Sequence, residues 1–129
     1  EELQTSMAIG MALDGMLPLS VIPRWNFMLR CADALVNHLD RLPLYSDGGY
    51  RPKVLIRTAV PSSSPFNPGP QHDDDFSEAF IAMFRTIKLV SLLTTDSILP
   101  AYRKAMAADH STILVEYTAL YRDQRAEER

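Results

Sequence analysis

A single cysteine, Cys31, among 129 residues leaves no disulfide to be made within the chain and fits a reducing compartment. The excess of one charge sign is small as well. The formal net charge of -3 gives no general attraction to nucleic acid or to an anionic membrane. No apolar run approaches the length needed to cross a bilayer, and no signal-peptide pattern opens the sequence, so the expectation is a soluble protein of the cytoplasm. No internal repeat is visible. Glycine is rare too, with five in the whole chain, so each one marks a place of interest. What is present is a 47% apolar content against 22% charged, which at this length is one domain with a real core.

The stretch 1–27 sets the organisation. Leu3, Met7, Ala8, Met11 and Ala12 recur at helical spacing, and Gly15 suits the left-handed position that ends a helix. Glu1 and Glu2 favour the positive N-terminal end of that helix. Gly10 lies inside it at a cost of about 1 kcal/mol against alanine, which marks a close approach by another backbone, by a ligand or by a tightly packed helix. Residues 17–22 are nearly all apolar and read as a strand covered on both faces of a parallel sheet.

A second helix is expected over 26–42. Phe27, Met28, Cys31, Leu35, His38, Leu39 and Leu42 form its apolar stripe, and Arg30, Asp33, Asn37 and Asp40 its polar side. His38 reads as a packed or interface histidine. After a turn-rich loop at 44–52 come a strand at 53–60 and a proline- and serine-rich loop at 61–70. Loops at the carboxyl ends of parallel strands often carry binding residues. His72 comes next at a strand-loop-helix junction, either as a proton-transfer group or as an ordinary surface histidine. Asp73, Asp74 and Asp75 lack calcium-loop spacing and read as charge compensation for a helix over 76–85. A strand at 87–93, a helix from 95 to 108 and a strand at 112–117 complete an α/β order, with a charged tail at 122–129.

Several pieces together carry a resemblance: MAIGMALDGMLP at 7–18, Asn26-Phe27, DALVNH at 33–38, SDGG before a strand containing Ile56-Arg57, GPQH at 69–72 and LVEYTALY near the end. The chain resembles the pyrimidine-binding domain of transketolase-like thiamine diphosphate enzymes, and most of all the β subunit of the decarboxylating component of 2-oxo-acid dehydrogenases. The resemblance implies a three-layer, mainly parallel sheet flanked by helices, with a domain over 1–121 that lacks its first strand and helix. The tail would then lead to a C-terminal domain.

By the same resemblance, Glu1 bonds the pyrimidine ring nitrogen of thiamine diphosphate and promotes its activation. Phe27 stacks on that ring with Trp25 beside it, and His72 assists substrate binding and acyl transfer to a lipoyl carrier. Magnesium and the diphosphate belong to a partner, since this sequence has no glycine-aspartate-glycine motif and no metal ligands of its own are implied. Implied partners are a diphosphate-binding α subunit or domain, a second pyrimidine domain and a lipoyl acyltransferase. The chain departs from the family at Ala59-Val60-Pro61-Ser62-Ser63-Ser64, at the aspartates after His72, and at Ala108-Asp109-His110-Ser111 before the last strand. Those departures leave two other readings: a transketolase-like carboligase or synthase subunit, and a non-catalytic homologue used for assembly.

Overall fold

Residues 2–13 hold no proline and one glycine, and they form α1 (Glu2–Leu13). Gly15 ends it as expected, at φ 87°, with its N–H on the Ala12 carbonyl and the Met16 N–H on the Met11 carbonyl. These elements belong to a computed structural model that describes residues 1–63 and 67–122. The stripe Leu3, Met7, Met11 does not face the interior. Those three side chains are exposed, while Thr5, Ala8 and Ile9 are buried. Apolar residues fall on more than one side of the helix, so periodicity alone does not choose its inner face; Ala8 and Ile9 are the ones that join the core with Trp25, Met28 and Leu35. A Cβ built at Gly10 meets no atom within 4 Å, so neither another backbone nor a packed helix among the described residues crowds it. Gly10→Ala is therefore expected to raise the stability of the isolated chain by about 0.5–1 kcal/mol, read from urea unfolding. A loss of stability would show a close neighbour at Gly10 after all.

The strand expected at 17–22 is shorter, β1 (Leu19–Val21), lies at an edge of the described sheet, and is covered on one face only. Ser20 points inward and Leu19 and Val21 are exposed.

The helix expected over 26–42 is present as one helical run over 25–39 that changes pitch along its length. α2 (Trp25–Met28) passes into a tight turn over Leu29–Cys31, then into a wide turn over Ala34–Leu39, before α3 (Leu42–Tyr45). In the wide turn each N–H reaches five residues back, as the Asp40 N–H does to the Leu35 carbonyl at 2.9 Å. One extra residue in a turn rotates the downstream residues by about 100°. Asp40, on the polar side of an unbroken helix, is consequently fully buried. His38 leaves the apolar side in the same way: it is mostly exposed, with Nε2 3.2 Å from Asp33 Oδ2.

Buried Asp40 is well supplied with donors. Its carboxylate accepts the backbone N–H groups of Arg85 (2.9 Å), Thr86 (2.7 Å) and Ile87 (2.9 Å) and pairs with Arg41. Burial pushes its pKa up, but these donors outweigh burial and hold it below the usual carboxylate value. One side chain thereby fixes the chain's entry into the third strand.

The α/β reading holds. β2 (Leu55–Val60), β3 (Lys88–Leu92) and β4 (Thr112–Tyr117) join β1 in a sheet of order β1-β2-β4-β3 among the described residues, parallel throughout. Leu19 lies opposite Leu55, and Thr112 lies between Leu55 and Lys88. On one face Ile56, Ile113 and Val115 pack with Ala8 and Ile9 of α1, Trp25 and Met28 of α2, and Phe80 of α4 (Ser77–Met83). On the other, Leu55, Leu92 and Leu114 pack with Ala105 of α5 (Thr95–Ala107). Right-handed crossovers give this arrangement, because only the β3 to β4 step runs back across the sheet, and so only α5 lies on the opposite face.

On the α5 face a second nearly buried carboxylate, Glu116, receives Arg57 Nη2 at 2.7 Å, the Tyr121 hydroxyl at 2.6 Å and the Tyr102 hydroxyl at 2.8 Å. Burial raises its pKa, yet the guanidinium and two phenols bring it below the ordinary range. This network ties the terminal turn Thr118–Arg122 to the sheet. The charged tail expected at 122–129 lies, from residue 123 on, outside the described residues. Among the described residues no helix is long and apolar enough to cross a membrane.

Candidate functional site

α1 runs back along β1, and Gln4 Nε2 binds both Ser20 Oγ (2.8 Å) and the Val21 carbonyl (3.1 Å). The first turn of α1 is thereby brought to the carboxyl end of the sheet, where ligands of open parallel sheets gather. Glu1 heads that turn, its carbonyl accepting the Thr5 N–H at 2.9 Å. Its side chain stands 3.2 Å from Arg30 Nε, on the segment that continues α2. Arg30 is 75% exposed and Glu1 28%, so this is a surface pair worth roughly 1 kcal/mol or less, readily exchanged for a ligand. Glu1 also lines an open groove of about 550 Å³ along α1 and β1, with Leu3, Met7, Met11 and Leu19.

Two other expected residues, Trp25 and Phe27, lie along the same helical segment. Trp25 turns fully into the core, its ring 5.1 Å from that of Phe80, so it supports the site from beneath and offers no face to a ligand. Phe27, one turn before Arg30, is half-buried. Its ring centroid lies 5.2 Å from that of His72, tilted by 40°. His72 closes a turn whose Gly69 adopts φ 81°, with the His72 N–H on the Gly69 carbonyl at 3.0 Å. Glu1 and Phe27 thus flank α2 and its continuation, and His72 is brought to Phe27 from the far loop. Cys31, on the inner side, is no nucleophile: burial pushes its thiol pKa up.

Two residues at this site carry no signal in the sequence. Asn26 stands there only as half of the Asn26-Phe27 pair. Its Nδ2 binds Asp74 Oδ2 at 2.8 Å. Tyr117, the last residue of β4, donates its hydroxyl to Asp75 Oδ2 at 3.1 Å. Both contacts join residues distant in sequence, so no local spacing signals them. Asp75 does serve the helix end, as expected, by accepting the Ser77 N–H at 2.9 Å. Asp74 serves α2 instead.

Asn26 Oδ1 and His72 Nδ1 are buried and have no hydrogen-bond partner among the described residues. Such atoms are costly unless something pairs with them. Thr5 Oγ1, Trp25 Nε1 and Thr58 Oγ1 are buried without a partner in the same way, so the unmet capacity is not confined to Asn26 and His72. The described residues contain no group of three or more His, Cys, Asp or Glu placed to hold a metal ion. No family model and no curated protein matches the chain.

Proposed function

We propose that this chain is the pyrimidine-binding domain of a thiamine diphosphate enzyme of the 2-oxo-acid dehydrogenase β-subunit type. The observation that carries the reading is the arrangement of Glu1 and the Phe27–His72 ring pair around one helical segment at the carboxyl edge of a parallel sheet. In it, Glu1 holds a proton at the pyrimidine ring nitrogen, Phe27 supports the ring by contact, and His72 binds substrate and assists acyl transfer to a lipoyl group. When bound, thiamine diphosphate supplies the electron sink for decarboxylation. Magnesium and the diphosphate are held by the partner α subunit or domain. The exposed stripe Leu3, Met7, Met11 and the groove beside Glu1 support a site completed by another chain, since apolar surface of that kind is costly to leave in water.

The isolated chain is then expected to be catalytically silent and to bind thiamine diphosphate with magnesium only weakly, in about the millimolar range, because the glycine-aspartate-glycine motif that would hold magnesium and the diphosphate is not in this sequence. Calorimetry on the chain alone, then a decarboxylation assay after co-expression with a diphosphate-binding α subunit from the same genome, tests this. Silence alone and turnover in the pair is the expected result. Micromolar binding with turnover by the lone chain would overturn the shared site, and silence in the pair would overturn the enzyme.

A further inference from the structure

The aspartates after His72 are the motif that the proposed chemistry does not use. Two of them are each engaged by a different element. Asp74 Oδ2 accepts Asn26 Nδ2 from α2 at 2.8 Å, and Asp75 Oδ2 accepts the Tyr117 hydroxyl from the end of β4 at 3.1 Å. Asp75 Oδ1 in addition receives the Ser77 N–H at 2.9 Å, which anchors α4. The residues just after His72 are therefore tied to three elements that meet at the carboxyl end of the sheet. On the other side of His72, its own N–H closes the turn at Gly69.

We infer that Asn26 and Tyr117 are positioning residues: by clasping Asp74 and Asp75 they hold the His72 imidazole against the Phe27 ring. The geometry requires something of the kind. Asn26 is adjacent to Phe27 in α2, so the bond to Asp74 ties the stacking residue and the histidine loop to the same point. His72 itself makes no side-chain hydrogen bond among the described residues, and its Nδ1 is buried without a partner. Its orientation must come from the backbone on either side of it and from the ring contact. A single tie would leave the loop free to pivot about it, and the second tie, from a different element, removes that pivot. Tyr117 is suited to the task. Its phenol is protonated at neutral pH in any case, and burial, together with the neighbouring Asp75 carboxylate, raises its pKa further.

The importance of this clasp for turnover rests on the function proposed above for His72; its existence does not. The test is therefore made first on the isolated chain. In NMR spectra, Phe27–His72 cross-peaks and a ring-current shift of the His72 protons are expected for the native protein. Both should be lost in the double variant Asn26→Ala/Tyr117→Phe, while far-UV circular dichroism stays native. The exchanged pair Asn26→Asp/Asp74→Asn restores a hydrogen bond between the same positions and should restore both signals in a Tyr117-containing chain. Retention of the cross-peaks in a folded double variant would overturn the clasp, as would failure of the exchanged pair to do better than Asn26→Ala alone.

In the assembled enzyme the double variant should lose about tenfold to a hundredfold in kcat with a smaller change in KM, the signature of a misplaced group. Loss of the ring pairing with kcat unchanged would leave the clasp standing and overturn the role given to His72.

Discussion

Replacing Glu1 with glutamine is expected to cut turnover of the assembled enzyme by about two to four orders of magnitude while changing cofactor affinity by less than about tenfold. The substitution keeps the size and the hydrogen-bonding oxygen of the side chain and removes only its capacity to take up and release a proton. If Glu1 acts as proposed, the loss falls on kcat. Its structural duties are too small to imitate that result. Its ion pair with Arg30 is solvent-exposed, and a negative charge in the first helical turn contributes about 0.3–1 kcal/mol. The variant should therefore unfold at nearly the native urea concentration, which separates a chemical defect from a folding one. Steady-state decarboxylation by the variant within about threefold of native would end the assignment of Glu1 and, with it, the strongest tie between this chain and thiamine diphosphate chemistry.

The parts of the fold that are legible in the sequence are those where one local signal decides. Gly15 has no competing reading at the end of an apolar helix, and the β-branched run at 112–117 is a strand at the residues expected. The alternation of helix and strand suffices for a parallel sheet with helices on both faces. The failures share a cause, because each depends on a partner far along the chain. The inner face of α1 is chosen by what packs on Ala8 and Ile9, not by the stripe that is easiest to see. β1 is an edge because no other described strand pairs with its outer side, something that its apolar composition cannot reveal.

The site is legible to a similar extent. Phe27 and His72 are 45 residues apart in sequence and do meet. Trp25, expected as their neighbour at the ligand, goes into the core because its ring fills space beside Phe80. Asn26 and Tyr117 are invisible for the reason that hides Asp40: their partners lie 48, 42 and at least 45 residues away.

Asp40 gives the largest effect expected on stability. Asp40→Ala removes the acceptor of three backbone N–H groups, those of Arg85, Thr86 and Ile87, at a site closed to water. It also leaves Arg41 without its carboxylate partner. Orphaned donors cost about 1–3 kcal/mol each, partly offset because the carboxylate no longer has to be desolvated, so a net loss of about 3–5 kcal/mol at neutral pH is expected. Against a total of about 5–15 kcal/mol for a domain, that is enough to leave the variant marginal. Asp40→Asn keeps one acceptor oxygen and should fall between the two.

The pH dependence has a definite sign. The folded-state pKa of Asp40 is depressed, since the N–H donors favour the ionised form more than burial opposes it, whereas the unfolded chain returns to the ordinary value of about 3.9. Its contribution is therefore fully present above that value and is lost as pH falls through it towards the folded pKa. Urea unfolding at neutral pH and again below about pH 4 should show the gap between native and Asp40→Ala proteins narrowing in acid. A gap under about 1 kcal/mol at neutral pH, or one that widens in acid, would mean that the wide turn over Ala34–Leu39 does not exist to bury this carboxylate.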